Sequence, residues 1–374
     1  MKLRVEQEDL AEAVAWTART LPARPTTPVL SGVKLTGDSD HITLAAFDLE
    51  VSAKAEVGAV VDEPGTAIVN GRLLAEIAKA LPAQPVELGL EGNRVALRCG
   101  RSSFGLPTMP VEDYPQLPDL PPHAGQVSAT DFAAAVAQVA IASSKDDTLP
   151  VLTGIRVELS AQTMRLVATD RYRLAVRSIP WQPTGGGVEH TTLVKARQLA
   201  DLGRSLGHSD VVQIALGEDN DGRIGFGVDG RELVTRLLGG EFPRYEQLLP
   251  SESHTVATVE TGLLIEAVKR VKLVAAERTA PIKLQFSDGE VLLRAGAFDD
   301  AQASETLECS TDGDSLEIAF NPDYLLDGLG AMGAESTTLS FTTANKPAVL
   351  SPADASDGGT PDYQYLLMPV RLSN

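Results

Sequence analysis

Cysteine is almost absent from this chain, with only Cys99 and Cys309 among 374 residues. Two thiols cannot build a disulfide framework or a thiolate metal site. The five histidines, His41, His123, His190, His208 and His254, are scattered, and no pair has zinc-ligand spacing. No metal is therefore expected. Long hydrophobic runs are missing too. No stretch reaches the roughly 18 apolar residues that a membrane-crossing helix needs. Met1-Lys2-Leu3-Arg4-Val5-Glu6 alternates like a strand, where a secretory signal would carry an apolar block. A cytoplasmic protein is the expectation. The sequence has no Walker-type phosphate loop, no strand-linked G-x-G-x-x-G and no G-x-S-x-G elbow. Gly222-Arg223-Ile224-Gly225-Phe226-Gly227 has the wrong glycine order and reads as part of a hairpin. These absences leave no cofactor to expect, and they favour a binding protein over an enzyme.

Positive charge is also scarce. There are 32 Lys and Arg against 51 Asp and Glu, giving a formal net charge of −19. Taken alone, that balance argues against nucleic-acid binding, because phosphate neutralisation needs a basic surface. The basic residues nevertheless cluster on predicted helices. Arg72 and Lys79 share one, Lys195, Arg197 and Arg204 lie in or beside another, and Lys269, Arg270 and Lys272 mark a third. A solvated face is the plainer reading of any one of them. Their recurrence suggests a molecule that segregates charge.

What the chain does contain is repetition. Thr27-Pro28-Val29-Leu30-Ser31-Gly32-Val33 returns as Leu149-Pro150-Val151-Leu152-Thr153-Gly154-Ile155, 122 positions on. Asp9-Leu10 and Val14 return at the same offset as Asp131-Phe132 and Val136, and Ala46-Phe47-Asp48 as Ala168-Thr169-Asp170. The Asp48 and Asp170 pair reads as a turn residue at a strand end rather than as catalytic acids. Arg72-Leu73-Leu74-Ala75-Glu76-Ile77 resembles Arg197-Gln198-Leu199-Ala200-Asp201-Leu202 at an offset of 125, which implies a small insertion. A fainter third copy carries Leu264-Ile265-Glu266-Ala267-Val268 and Tyr324-Leu325-Leu326-Asp327-Gly328-Leu329. A solenoid repeats every ~20–50 residues, so these copies are domain-sized. Proline-rich Pro115 to Gly125 and the stretch Leu248 to His254 read as linkers. The expected domains are residues 1–122, 123–250 and 251–374.

Each copy reads strand, helix, strands, helix, strands. Leu10, Ala13, Val14 and Thr17 have the spacing of an amphipathic helix. Thr130 and Thr261 are candidate caps for the corresponding helices of the later copies. Val86, Leu88 and Leu90 alternate, as do Val95, Leu97 and Cys99 after a Glu91-Gly92-Asn93 turn. Ile214 and Leu216 should pair with Ile224, Phe226 and Val228, and Asp288-Gly289 marks a further hairpin. Strands outnumber helices, which gives an α+β fold of antiparallel sheets with two helices per copy.

Four segments carry a resemblance over the whole chain. They are Ala168-Thr169-Asp170-Arg171-Tyr172-Arg173-Leu174-Ala175, Glu241-Phe242-Pro243-Arg244-Tyr245, Phe320-Asn321-Pro322-Asp323-Tyr324-Leu325 and Tyr365-Leu366-Leu367-Met368-Pro369-Val370-Arg371-Leu372. In order and spacing the chain resembles the bacterial sliding clamps, the β subunits of replicative DNA polymerase. The resemblance implies the DNA clamp fold. In it, three similar domains per subunit close head to tail with a second copy into a six-domain ring, helices inside and sheets outside. The ring encircles duplex DNA without reading base sequence and tethers its partners, so an acidic exterior and basic inner helices are compatible with the charge balance.

The resemblance further implies a pocket that takes a short peptide motif from the polymerase, the clamp loader and repair proteins. By matching positions its residues are Leu152, Thr169, Arg171, Tyr172, Arg173, Leu174, Pro243, Leu248, Asn321, Tyr324, Met368, Pro369 and Arg371. Arg171-Tyr172 stand where many members carry Gly-His, and Thr279 where some carry an aromatic, so one wall is reshaped. The implied dimer contact pairs Phe104 and Leu106 with Leu273 and Val274, and sets Arg98 and Arg101 against Glu305 and Glu308. DNA-facing positions are Arg24, Arg72, Lys145, Asp146 and Arg197. Two other readings stay open on the residues alone. One is an acidic enzyme with duplicated domains, and the other is a scaffold that keeps the pocket but is never loaded on DNA.

Overall fold

The computed structural model describes residues 1–185, 189–217, 222–250, 252–274, 280–296, 301–353 and 361–371. Thr279 lies outside the described residues. Two helices fall in each sequence repeat: α1 (Gln7–Ala18) and α2 (Gly71–Ala80), α3 (Ala129–Ala140) and α4 (Ala196–Gly203), α5 (Thr261–Val271) and α6 (Pro322–Ala331). The α1 helix buries Leu10, Ala13, Val14 and Thr17, the face its spacing predicts.

The 122-residue offset is written into the backbone. The 3-10 turn Pro28–Ser31 returns as Pro150–Thr153. Strands Gly32–Asp38, His41–Phe47 and Val51–Gly58 return as Gly154–Ser160, Thr163–Thr169 and Arg173–Pro180. Even the left-handed residues correspond: Ser39 with Ala161, and Leu49 with Arg171, the latter two both at φ 80°. Asp48 and Asp170 are turn residues, as their strand-end position suggests. The Asp48 Oδ1 accepts from the amides of Glu50 and Val51 at 2.9 and 2.6 Å.

All strand pairs among the described residues are antiparallel, and the predicted hairpin between residues 211–216 and 223–228 forms, with Ile214 opposite Phe226 and Leu216 opposite Ile224. The chain packs as two compact units. The first holds Met1–Thr130, Gln182–Gly186 and Arg204–Leu237, and the second holds Asp131–Trp181, Gly187–Gly203 and Leu238–Asn374. The second repeat thus contributes to both. The reason is sheet continuity. In the first unit, strand Val51–Gly58 pairs with His41–Phe47 on one side and with Arg231–Arg236 on the other, within a 14-stranded sheet. In the second unit, Arg173–Pro180 pairs with Thr163–Thr169 and with Tyr363–Leu367, within a nine-stranded sheet, and a separate four-stranded sheet holds Ile282–Ser287. Edges that would otherwise be open at these seams are closed by the next repeat.

Three local expectations need correction. Thr130 is the second residue of α3, not its cap, because the helix already begins at Ala129. Thr261 is the first residue of α5, and its hydroxyl bonds that of Thr337 at 2.8 Å, so it ties helix to sheet. The expected linker ends early, because His123–Ser128 is a strand paired with Val211–Leu216.

The linker is strapped down. The Tyr114 hydroxyl accepts from the Phe47 amide at 3.0 Å and donates to the Gly32 carbonyl at 3.3 Å. Leu120 and Pro121 lie against Gly225, where a β-carbon would come within 2.5 Å of the Leu120 side chain, so the glycine makes room for the strap. Burial pushes the Tyr114 hydroxyl from 10.0 up to about 12. Below pH 10 the tyrosine is protonated in folded and unfolded chains alike. As pH rises further, the unfolded chain releases the proton first and stability falls. Tyr114→Phe should lose about 1–2 kcal/mol at neutral pH, because the buried Phe47 amide loses its acceptor. It should also flatten the alkaline loss of stability. Thermal unfolding across pH 7–12 checks both; an unchanged neutral stability would contradict the strap.

Candidate functional site

The site grows from one turn in the second unit. Between strands Thr163–Thr169 and Arg173–Pro180, Asp170 Oδ1 accepts from the amides of Tyr172 and Arg173 at 3.0 and 3.1 Å. Thr169 Oγ1 accepts from the Arg171 amide at 3.2 Å and donates to the Arg173 carbonyl at 2.7 Å. Every amide of the turn is held, and the backbone of Arg171 and Tyr172 is fixed by its neighbours.

Arg173 is the centre. Although an arginine, it is only 6% exposed. Its Nε donates to Asp170 Oδ2 at 2.9 Å, and its Nη1 donates to Asp327 Oδ2 on α6 at 2.6 Å. The Tyr365 hydroxyl lies 3.5 Å from the same Nη1 and donates to the Tyr324 carbonyl at 2.8 Å. Burial works against the arginine's charge, yet Tyr365, Asp327 and Asp170 outweigh it and hold the guanidinium above its usual range. Burial also pushes the Tyr365 hydroxyl up. Gly328 of α6 is required here, since any β-carbon at that position would collide with the Tyr365 ring.

The Arg173 guanidinium lies 4.4 Å from the Tyr324 ring centroid, and Tyr172 stacks on Tyr324 at 6.1 Å with 25° between the planes. A guanidinium and two rings thus share one stack. Tyr172 remains 60% exposed, and Met368 and Leu248 are also exposed. The Met368 amide donates to the Tyr172 carbonyl at 2.9 Å and the Val370 amide to Ala319 at 2.8 Å, which hold the C-terminal segment beside the turn. Asn321 caps α6 by accepting from the amides of Asp323 and Tyr324. Lys272 pairs with Asp323 at the same helix end.

Of the expected pocket residues, direct contacts therefore join Thr169, Arg171, Tyr172, Arg173, Asn321, Tyr324 and Met368. Leu174 belongs to a buried cluster with Val167, Val176, Tyr245, Val349 and Leu366, with Phe242 and Leu249 packed against it. It therefore supports the site from beneath. Leu152 is buried on its 3-10 turn, and its carbonyl accepts from the Ser144 amide at 2.8 Å. Pro243 and Leu248 flank the buried Tyr245, whose hydroxyl bonds Glu158 at 3.0 Å. Pro369 is half-buried and Arg371 is exposed. Sequence reasoning missed Asp327 and Tyr365, which hold Arg173, and saw in Asp170 only the turn residue. For Asp327 a signal existed: an acid recurs in the second helix of every repeat, as Glu76, Asp201 and Asp327.

The first repeat shows what makes the site. At the positions of Thr169, Arg173 and Leu174 it carries Phe47, Val51 and Ser52, all buried. Phe47 fills its own cluster with Val29, Leu30, Ile68 and Tyr114. The seam is otherwise alike, with the Arg236 amide bonded to Glu50 as Met368 is to Tyr172. The same turn therefore stands over an apolar cluster in one repeat and over a buried, ion-paired arginine in the other.

The remaining expected positions are scattered over both units. Arg24 is exposed, and Arg72 on α2 donates to the Pro22 carbonyl at 3.1 Å. Lys145 and Asp146 sit on an exposed loop. Asp146 is held below the usual carboxylate range first by hydrogen bonding from Thr148. The Arg197 side chain on α4 is 85% exposed and lies 3.8 Å from Asp201. Phe104 is partly exposed, but Leu106 is 1% exposed and anchors its strand in the core, opposite Val95. Leu273 is 83% exposed on the turn after α5, and Val274 is half-buried. Arg98 pairs with Glu91 at 2.8 Å, and Glu305 pairs with Arg270 inside the same chain. Arg101 and Glu308 are exposed. Among the described residues no group of His, Cys, Asp and Glu could hold a metal ion, and no helix is long and apolar enough to cross a membrane.

Comparison with known proteins agrees along the whole length. The chain matches the N-terminal domain of the DNA polymerase III beta subunit over residues 1–118, the central domain over 126–244 and the C-terminal domain over 246–371. It is 50% identical to a beta sliding clamp of Streptomyces coelicolor and 44% identical to the beta sliding clamp homolog GriR of Streptomyces muensis, each over 100% of both chains. A crystal structure of a sliding clamp from Pseudomonas aeruginosa bound to griselimycin superposes with a TM-score of 0.92 at 30% identity, covering 100% of both chains. Repeat, fold and sequence converge, and the chain belongs to the DNA polymerase III beta subunit family, the bacterial sliding clamps.

Proposed function

We propose that this chain closes head to tail with a second copy into a ring of six similar domains, divided in each subunit as residues 1–122, 123–250 and 251–374. The ring encircles duplex DNA and tethers the replicative polymerase, the clamp loader and repair proteins through a short peptide motif. The observation that carries this reading is the threefold repeat, each copy with two helices against antiparallel sheet. Such a ring works in the cytoplasm with the DNA, holds it by topology and needs no reaction, cofactor or metal of its own. The DNA-facing positions are Arg24, Arg72, Lys145, Asp146 and Arg197. A net charge of −19 then limits side-on adhesion, while few phosphate contacts are needed inside the ring.

The dimer contact uses Phe104, Leu273 and Val274, with Leu106 supporting its strand from the core. Two strand edges favour this assignment. Among the described residues, 102–107 pair only with strand Arg94–Cys99, and Ala303–Glu308 is an outer strand of the four-stranded sheet. Open edges of this kind invite pairing with another chain. Arg98 and Glu305 already hold in-chain partners, so ion pairs with the second copy would exchange those partners on closure. The peptide site comprises the Arg173 stack, Leu152, Pro243, Leu248, Met368, Pro369 and Arg371.

Loading the protein onto nicked circular DNA, raising the salt and linearising half the sample tests the reading. A topological link predicts retention on circles and loss from linear ends; equal release from both would refute the ring. Leu273→Arg should put an unpaired charge into the subunit contact and yield monomers in sedimentation. An unchanged dimer mass would refute that contact.

A further inference from the structure

The turn that fixes Tyr172 also carries an arginine that its fold does not need. Arg171 sits at φ 80°, a region that strains an L residue and that glycine enters freely. The first repeat builds the same turn with Leu49 at that position, so the guanidinium is not what shapes it. The Arg171 side chain is exposed and makes no hydrogen bond or ion pair among the described residues. The same holds for Arg371.

The segments that carry these two arginines are joined by a backbone hydrogen bond. Arg171 adjoins Tyr172, Arg371 follows Met368, and the Met368 amide is bonded to the Tyr172 carbonyl. On the same two segments Tyr172 and Met368 are 60% and 40% exposed. The acids of the same turn and helix are already engaged: Asp170 and Asp327 by Arg173, and Asp323 by Lys272. Glu241 and Glu246 on the adjoining connection form no hydrogen bond or ion pair with either arginine. Asp146 acts weakly on Arg171 from the neighbouring loop. In a chain of net charge −19, two unpaired guanidiniums beside an exposed aromatic face form a local exception.

We propose that Arg171 and Arg371 make this site selective for an acidic partner peptide, one that lays an apolar or aromatic side chain on the Tyr172 ring and turns carboxylates to the two guanidiniums. The proposal rests on the peptide-site reading above and adds the chemistry of the ligand. Tyr172 supplies a face fixed in advance by the Tyr324 and Arg173 stack, so little side-chain freedom is lost on binding. The arginines supply discrimination, because exposed ion pairs favour a complementary partner more than they add affinity.

The test uses two fluorescent peptides with the same apolar residues, one carrying two glutamates and the other two glutamines, titrated against the full-length protein. The glutamate peptide should bind about three- to tenfold tighter at low salt, and the ratio should approach one near ~1 M salt. Arg171→Gly, which suits the left-handed backbone, and Arg371→Gln should each bring the ratio of the two affinities towards one. Tyr172→Ala should weaken both peptides and keep the ratio. Equal affinities in the unmutated protein, or a ratio unmoved by both arginine variants, would overturn the selectivity and leave the peptide site standing. Failure of the folded protein to bind either peptide would overturn both.

Discussion

A buried arginine must have its charge met, and that constraint organises the second unit. Arg173 cannot reach water, so it recruits Asp170 from its own turn and Asp327 from α6, with Tyr365 beside them. Removing either partner of such a group leaves an uncompensated charge, while the intact pair adds specificity of arrangement more than stability. The arrangement specified is the seam between the second and third repeats. The strand Arg173–Pro180, the C-terminal strand Tyr363–Leu367 and α6 are all placed by contacts to this one side chain or its immediate partners. The exposed face of Tyr172 then follows, because its backbone and its stacking partner are both fixed from below.

The first repeat builds the same turn over a different interior. Both repeats use the same aspartate turn, the same left-handed residue and the same amide bond across the seam. Beneath the turn the first repeat buries Phe47, Val51 and Ser52 and the second buries Thr169, Arg173 and Leu174, while above it the first exposes Leu49 and the second Tyr172. A bulky apolar residue in the turn fills its own cavity. In the second repeat a threonine hydroxyl pins the turn, next to an arginine that draws in α6 with its Tyr324 ring.

Much of this was legible before any coordinates. The offset of 122 residues appears in Pro28 and Pro150, and the backbone repeats it to the level of single φ angles. Period-two strands and the Asp288-Gly289 hairpin formed as read, because alternation and turn chemistry are local. The turn reading of Asp48 and Asp170 held for the same reason. Three kinds of feature do not follow from these patterns. Sheets that run across repeat boundaries depend on which edges meet, and so the second repeat contributes to both compact units. Thr130 and Thr261 looked like caps because a threonine before an apolar run is the usual signal, yet the helices begin earlier. The partnership of Arg173 with Asp327 spans 154 positions and has no spacing rule; only the recurrence of an acid in the second helix hinted at it.

The central claim is that the ion pair between Arg173 and Asp327 builds the partner site. Its most direct test is a double-mutant cycle on peptide affinity, using Arg173→Met, Asp327→Asn and the combined variant, with thermal unfolding to establish that each is folded. The account predicts that each single change weakens binding and that the double variant is no weaker than the worse single one, since both remove the same link. Folded single variants that bind as the unmutated protein does, or losses that simply add, would contradict it.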